Sequence, residues 1–275
     1  MLTGSGDTAK ALQRALAART GAILPLIAET GGVNAMIVDS TALPEQVVTD
    51  VLRSAFDSAG QHCSALRVLF LQQEIAPAVL EMLAGAMAEL RVGDPARIET
   101  DVGPVIHDEA RATLQRHVAH LEREARLIAR APLAAECAHG SFLAPCAFEI
   151  GALDALPGEV FGPVLHVIRY PAAALDPVID AINATGYGLT CGLHSRIEAR
   201  AQDVAARVRA GNLYVNRNMI GAVVGVQPFG GEGLSGTGPK AGGPNLLRRL
   251  SVERTVSVNT TASGGNASLL ALDDD

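Results

Sequence analysis

Cys63 stands in the run FDSAGQHCSALR (56–67), beside Gln61, His62 and Ser64 rather than among the apolar neighbours of a packed thiol. A thiolate is the strongest nucleophile a protein carries at neutral pH, and a cysteine in a turn can open onto a cleft. Thirty-four residues earlier, Glu29 opens ETGG (29–32), a carboxylate on a glycine-rich turn that can take a proton from water. Each also has a plainer reading, as a small packed cysteine and as a surface carboxylate in a turn.

The elements that must position these two residues follow from pattern. Residues 8–19 read as a helix with Asp7 at its N-cap, and 23–29 and 34–39 as short buried strands joined at Gly31–Gly32. A helix is expected over 43–56, a strand over 66–72 and a helix over 76–90, so Cys63 falls in the turn between helix and strand. Turn formers leave 91–106 irregular. A helix over 108–126, strands near 142–150 and 160–169, helices over 175–183 and 197–209, and a strand over 211–217 complete the pattern. Strands alternating with helices predict an α/β protein, a mostly parallel sheet with flanking helices. The tail at 262–275 is expected to be mobile at its end.

Composition agrees with this class. The 275 residues are 48% hydrophobic, largely through alanine, and only 3% aromatic with no tryptophan, which suits α/β better than all-β. The net charge of −7 comes from interspersed charges without a basic block, so nucleic acid is not an expected partner. No apolar stretch is long enough for a membrane span and no signal-like start precedes Lys10. Four cysteines (63, 137, 146 and 191) without CxxC spacing fit a reduced, cytoplasmic protein. His107, His117, His120 and His139 form no compact ligand set and read as solvated helix-face residues, so no metal is expected. The GxGxxG match at Gly231–Gly236 follows no convincing strand and reads as loop rather than phosphate cradle.

Taken whole, 56–67 resembles the cysteine signature of the aldehyde dehydrogenase superfamily, through Phe56, Gly60, Gln61, Cys63, Ala65 and Arg67. AETGGVNA (28–35) resembles that superfamily's glutamate signature, with Val33 where a lysine or similar residue is usual. VGDP (92–95), VGPVI (102–106), EVFGPV (159–164), GNLYVN (211–216) and PFGG (228–231) follow in the family's order. NAMIVDSTALPEQVV (34–48), SAFDSAGQHCSALRVL (54–69) and GAVVGVQPFGGEGLSGTGPKAGGP (221–244) are similar to the L-glutamate γ-semialdehyde (1-pyrroline-5-carboxylate) dehydrogenases found as the C-terminal part of bifunctional proline utilization A proteins.

The resemblance implies NAD-dependent oxidation of L-glutamate γ-semialdehyde to L-glutamate in proline catabolism. Cys63 would be the nucleophile and Glu29 the general base. Ser64 and the backbone N–H groups of Gly221 and Ala222 would hold the substrate carboxylate, with Phe229 against its aliphatic part. Gly4, Ser5, Thr30, Gly31, Glu159 and Phe161 would contact NAD, Glu159 at the nicotinamide ribose. One oxyanion donor would be the Cys63 N–H. The other, an asparagine upstream of the glutamate motif, is expected outside this chain together with the first part of the Rossmann-type cofactor domain. The implied organisation is a remnant of the NAD-binding domain over 1–28, the catalytic domain over 29–234, and a return to the cofactor lobe with an oligomerisation strand and tail over 235–275. A homo-oligomer joined through an edge strand at 253–261, or association with upstream domains of the same enzyme, is the expected assembly. Two other readings stay open: a non-catalytic assembly piece, and a cysteine-dependent esterase.

Overall fold

A computed structural model describes residues 1–259; positions 260 and 261 of the expected edge strand and the tail at 262–275 lie outside the described residues. The chain runs through β1 (Leu2–Thr3), α1 (Gly6–Ala17), β2 (Ala28–Glu29), β3 (Ala35–Val38), α2 (Pro44–Phe56), β4 (Val68–Gln72), α3 (Ala76–Ala88), α4 (Asp108–Glu124) and β5 (Arg126–Arg130). It continues through β6 (Cys146–Glu149), β7 (Val164–Tyr170), α5 (Leu175–Ala184), β8 (Tyr187–Gly188), β9 (Thr190–His194), α6 (Glu198–Arg207), β10 (Asn212–Val215), β11 (Glu232–Gly233) and α7 (Pro244–Arg249).

Seven strands form one sheet in the order β10-β9-β3-β4-β7-β6-β5, parallel except where β5 runs against β6. The central strands β3 (AMIV) and β4 (VLFLQ) are buried at every position because helices cover both faces. Helix α2 starts on Pro44, which needs no N–H partner there, and buries Val47, Val51, Ala55 and Phe56. The protein is therefore α/β with a mostly parallel central sheet and flanking helices. Two small pairs lie outside that sheet, β1 parallel to β2 and β8 antiparallel to β11. None of the described helices is long and apolar enough to cross a membrane.

Several expected elements differ. Only Ala28–Glu29 of the strand expected at 23–29 forms, since Pro25 offers no ladder N–H and Ile23 and Leu24 are exposed. Ser5 rather than Asp7 caps α1, its Oγ accepting the Thr8 N–H at 3.1 Å. Strands β5 and β9 were not legible, β5 because it continues directly from α4, and β9 (TCGLH) because it is short and glycine-interrupted. Residues 253–259, where the expected edge strand would begin, carry no strand in the single chain, and the pairing expected of them is with another subunit.

Candidate active site

In a parallel sheet all strand entries lie along one edge. Glu29–Gly31 lead to β3, Gln61–Cys63 to β4, Glu159 and Phe161 to β7, and Leu189 to β9, and these four strands are neighbours. Their entry segments line one cavity of about 840 Å³, closed by Gly4, Ser5, Phe229 and Ala241. Open α/β sheets commonly take ligands at the opposite, carboxyl edge. Here the carboxyl end of β3 is plugged: buried Asp39 accepts hydrogen bonds from Ser195 and Thr41 and pairs with Arg200 at 2.9 Å.

Cys63 is delivered by a strained turn. After α2, Ser58, Ala59 and Gly60 all take left-handed φ values of 54°, 55° and 66°. Gly60 must be glycine: a Cβ there would stand 2.3 Å from the Gly162 carbonyl oxygen. Buried Asn34, just before β3, donates from Nδ2 to the carbonyls of Cys63 (2.7 Å) and Ala65 (2.9 Å), while its Oδ1 accepts the Thr190 N–H at 3.2 Å. One amide thus ties the entries to β3, β4 and β9. Burial pushes the half-exposed Cys63 thiol up, the Ser64 N–H opposes this, and the charges of Glu159 and Glu29 add to the rise. The thiol at rest therefore holds its proton at neutral pH.

Glu29 lies on a glycine shelf. Its Oε2 accepts the Gly231 N–H at 3.1 Å, and a Cβ at Gly230 would approach Oε1 to 2.7 Å. Oε1 is buried with no hydrogen-bond partner among the described residues. Burial raises this carboxyl above its ordinary value, against the lowering influence of the Gly231 N–H and of Lys240. The match to GxGxxG at 231–236 is thus the shelf of a carboxylate, with Glu232–Gly233 forming β11.

Glu159 is fixed by buried Arg67. The guanidinium Nη1 donates to the carbonyls of Gly60 (2.6 Å) and Gly162 (3.3 Å), and Nη2 to the His62 carbonyl (3.0 Å) and Glu159 Oε1 (3.4 Å). The same guanidinium lies 5.1 Å from the centroid of the Phe161 ring. Burial raises the Glu159 carboxyl, with Arg67 and the Gly32 N–H opposing it. Gly31 packs directly on this side chain, since a Cβ there would stand 1.7 Å from Oε2. A second cavity of about 290 Å³ shares Ser5, Thr30, Gly31 and Glu159 with the first and extends along α1 past Asp7 and Lys10.

Of the residues singled out from sequence, Cys63, Glu29, Gly4, Ser5, Thr30, Gly31, Glu159, Phe161 and Phe229 come together around the larger cavity. Ser64 is buried beside Cys63, its carbonyl accepting Thr190 Oγ1 at 3.2 Å. Gly221 and Ala222 are not among the cavity residues; Gly221, at φ 74°, faces open space. Asn34 and Arg67 were not anticipated as organisers, although Arg67 belongs to the matched signature and Asn34 is an amide heading an apolar strand. His117 is no solvated face residue: it turns inward to pair with buried His166, Nε2 to Nε2 at 2.9 Å. Cys137, Cys146 and Cys191 are free and buried. Among the described residues no three His, Cys, Asp or Glu side chains are grouped to hold a metal ion.

A thiol and a carboxylate share one cavity in an α/β frame, and the sequence identifies the family. Residues 1–256 match the aldehyde dehydrogenase family, and the chain belongs to it. It is 57% identical over 258 residues to the bifunctional protein PutA of Klebsiella aerogenes, covering 91% of this chain and 20% of that protein. It is 35% identical over 260 residues to the 1-pyrroline-5-carboxylate dehydrogenase of Geobacillus kaustophilus, covering 93% of this chain and 50% of that protein. The crystal structure of a Bradyrhizobium japonicum proline utilization A variant superposes with a TM-score of 0.90 at 57% identity, over 95% of this chain and 27% of that one. The chain thus spans a fifth to a half of the length of these relatives. Family membership implies a nicotinamide cofactor.

Proposed function

We propose that this chain carries the aldehyde-oxidising site of an L-glutamate γ-semialdehyde dehydrogenase acting in proline catabolism with NAD. The observation that supports this most directly is the shared cavity of Cys63 and Glu29, bordered by Glu159. Residues 1–28 are read as part of the cofactor domain, 29–234 as the catalytic domain and 235–275 as the return to the cofactor lobe. Four free cysteines suit a cytoplasmic setting. Upstream domains or further copies of the chain complete the assembly.

The residues present fit a nicotinamide cofactor. The N-terminus of α1 at Ser5 and Gly6 offers backbone donors to a pyrophosphate, and bare Gly31 allows close approach. Glu159, at the junction of the two cavities, is the acceptor for ribose hydroxyls. When bound, the cofactor supplies the two-electron acceptor for the aldehyde carbon.

The side chains do the rest. Cys63 Sγ adds to the aldehyde carbon, its thiol proton released to solvent, and the resulting oxyanion faces the Cys63 backbone N–H. Oxidation leaves the acyl group on sulfur as a thioester. Glu29, with Oε1 uncommitted, takes a proton from water as that water attacks the acyl carbon; the C–S bond breaks and glutamate leaves. Ser64, Gly221, Ala222 and Phe229 are assigned to the substrate's carboxylate and methylene chain. Closure of the loop bearing Gly221 and Ala222 over the cavity is part of this assignment.

Incubation with 1-pyrroline-5-carboxylate and NAD or NADP, followed by absorbance of the reduced cofactor, tests the proposal. NAD-dependent turnover lost in Cys63→Ser is expected; no turnover even with the upstream domains supplied overturns it.

A further inference from the structure

The chain contains two lysines against twenty arginines, and one of them, Lys240, borders the glycine shelf beneath Glu29. Its Nζ donates to the Gly211 carbonyl. Gly211 is itself pressed onto the shelf, since a Cβ there would stand 1.8 Å from the Gly230 carbonyl oxygen. The next residue, Ala241, bridges Phe229 through two backbone hydrogen bonds of 3.0 and 2.7 Å. Phe229, Gly230 and Gly231 are thereby clamped from both sides, and the Gly231 N–H is the donor to Glu29 Oε2.

We propose that Lys240 is a positioning residue for Glu29: tied to Gly211, it fixes the Phe229–Gly231 shelf and supplies the positive charge facing the carboxylate. The proposal rests on Glu29 being the water-activating base. The other titratable groups around Glu29 are Cys63, His62 and Glu159, which line the same cavity. Lys240 is the cation that lowers Glu29 against the effect of burial. A carboxylate needed as a base must be ionised at the working pH, and a nearby ammonium holds it so. Lysine suits this place because a point charge on a long stem binds the single Gly211 carbonyl without demanding paired acceptors, and from there its charge acts on Glu29 through space.

The test uses the full chain and p-nitrophenyl acetate. Cys63 takes the acetyl group as the ester C–O bond breaks and p-nitrophenolate leaves; water then cleaves the C–S bond to give acetate, its proton passing to Glu29 and back to the thiol. Burst amplitude reports acylation, and acyl-enzyme decay, followed by mass spectrometry, reports the water step. Lys240→Met is expected to keep the burst, move the acid limb of decay up by about half to one pH unit, and so slow decay roughly three- to tenfold at pH values on that limb. Lys240→Arg is expected to restore much of the limb, and Glu29→Gln to remove it. An unmoved limb in Lys240→Met, or a burst lost along with decay, overturns the proposal. A limb that persists in Glu29→Gln instead overturns the base assignment. For a chain too slow on esters, carbodiimide labelling of Glu29 against pH reads the same ionisation: labelling must persist to higher pH in Lys240→Met, and an unchanged profile overturns the role.

Discussion

The Arg67 guanidinium meets Glu159 Oε1 at 3.4 Å from a side chain only 1% exposed, and with its remaining donors holds the carbonyls on both sides of the cavity. A single buried cation therefore sets the spacing between the cysteine turn and the Glu159–Gly162 loop. Removing it takes the cation from Glu159 and the Arg67 donor from three carbonyls, of which Gly162 and His62 keep the Val164 and Ala65 N–H groups. Arg67→Met is expected to lower stability by roughly 3–5 kcal/mol, read from urea unfolding. A loss below about 1 kcal/mol would show that the pair does not organise the fold.

Glu159 also acts on Cys63. Burial is the main cause of the raised Cys63 thiol, and the Glu159 charge adds to it. Alkylation by iodoacetamide tracks the thiolate, so its rate should rise with pH through a midpoint above the usual thiol value. In Glu159→Gln the midpoint should fall, because a negative charge is removed and Arg67 loses its partner. A midpoint that stays or rises contradicts the electrostatic account.

Of the four thiols, only Cys63 opens onto a cavity; Cys137, Cys146 and Cys191 are buried. Burial pushes Cys146 and Cys191 up to about 12, which removes their thiolates at neutral pH. Brief labelling of the native chain should therefore add one adduct, absent in Cys63→Ser, with four after denaturation. Two or more adducts in the native state would mean that the sheet opens locally.

The two glycine contacts should separate stability from binding. Gly60→Ala forces a side chain into left-handed backbone and onto the Gly162 backbone carbonyl, and is expected to destabilise by at least about 1–3 kcal/mol. Gly31→Ala meets the Glu159 carboxylate, the far end of a flexible side chain that can rotate away. Its expected effect is weaker nicotinamide-cofactor binding, roughly tenfold or more by calorimetry, with an unfolding loss smaller than that of Gly60→Ala. Equal unfolding losses in both variants would refute this division.

Much of the frame was legible because burial on both faces writes itself into local pattern. β3, β4 and β7 are apolar runs, and α2 and α4 carry capping or proline signals at their starts. β9 and β5 were not legible: a five-residue strand with a central glycine, and one fused to a helix, have no periodicity long enough to read.

The sequence by itself determined which side chains stand in the family's signatures, because the order and spacing of Glu29, Cys63 and Glu159 are properties of the chain. Tertiary structure alone decided that they meet. Entries to β3, β4 and β7 are far apart in sequence, and parallel pairing brings them to one edge of one sheet. Only there do burial, the Gly231 N–H, the Arg67 fork and the Lys240 ammonium act on them, since charge and desolvation depend on distances in space that no local stretch encodes.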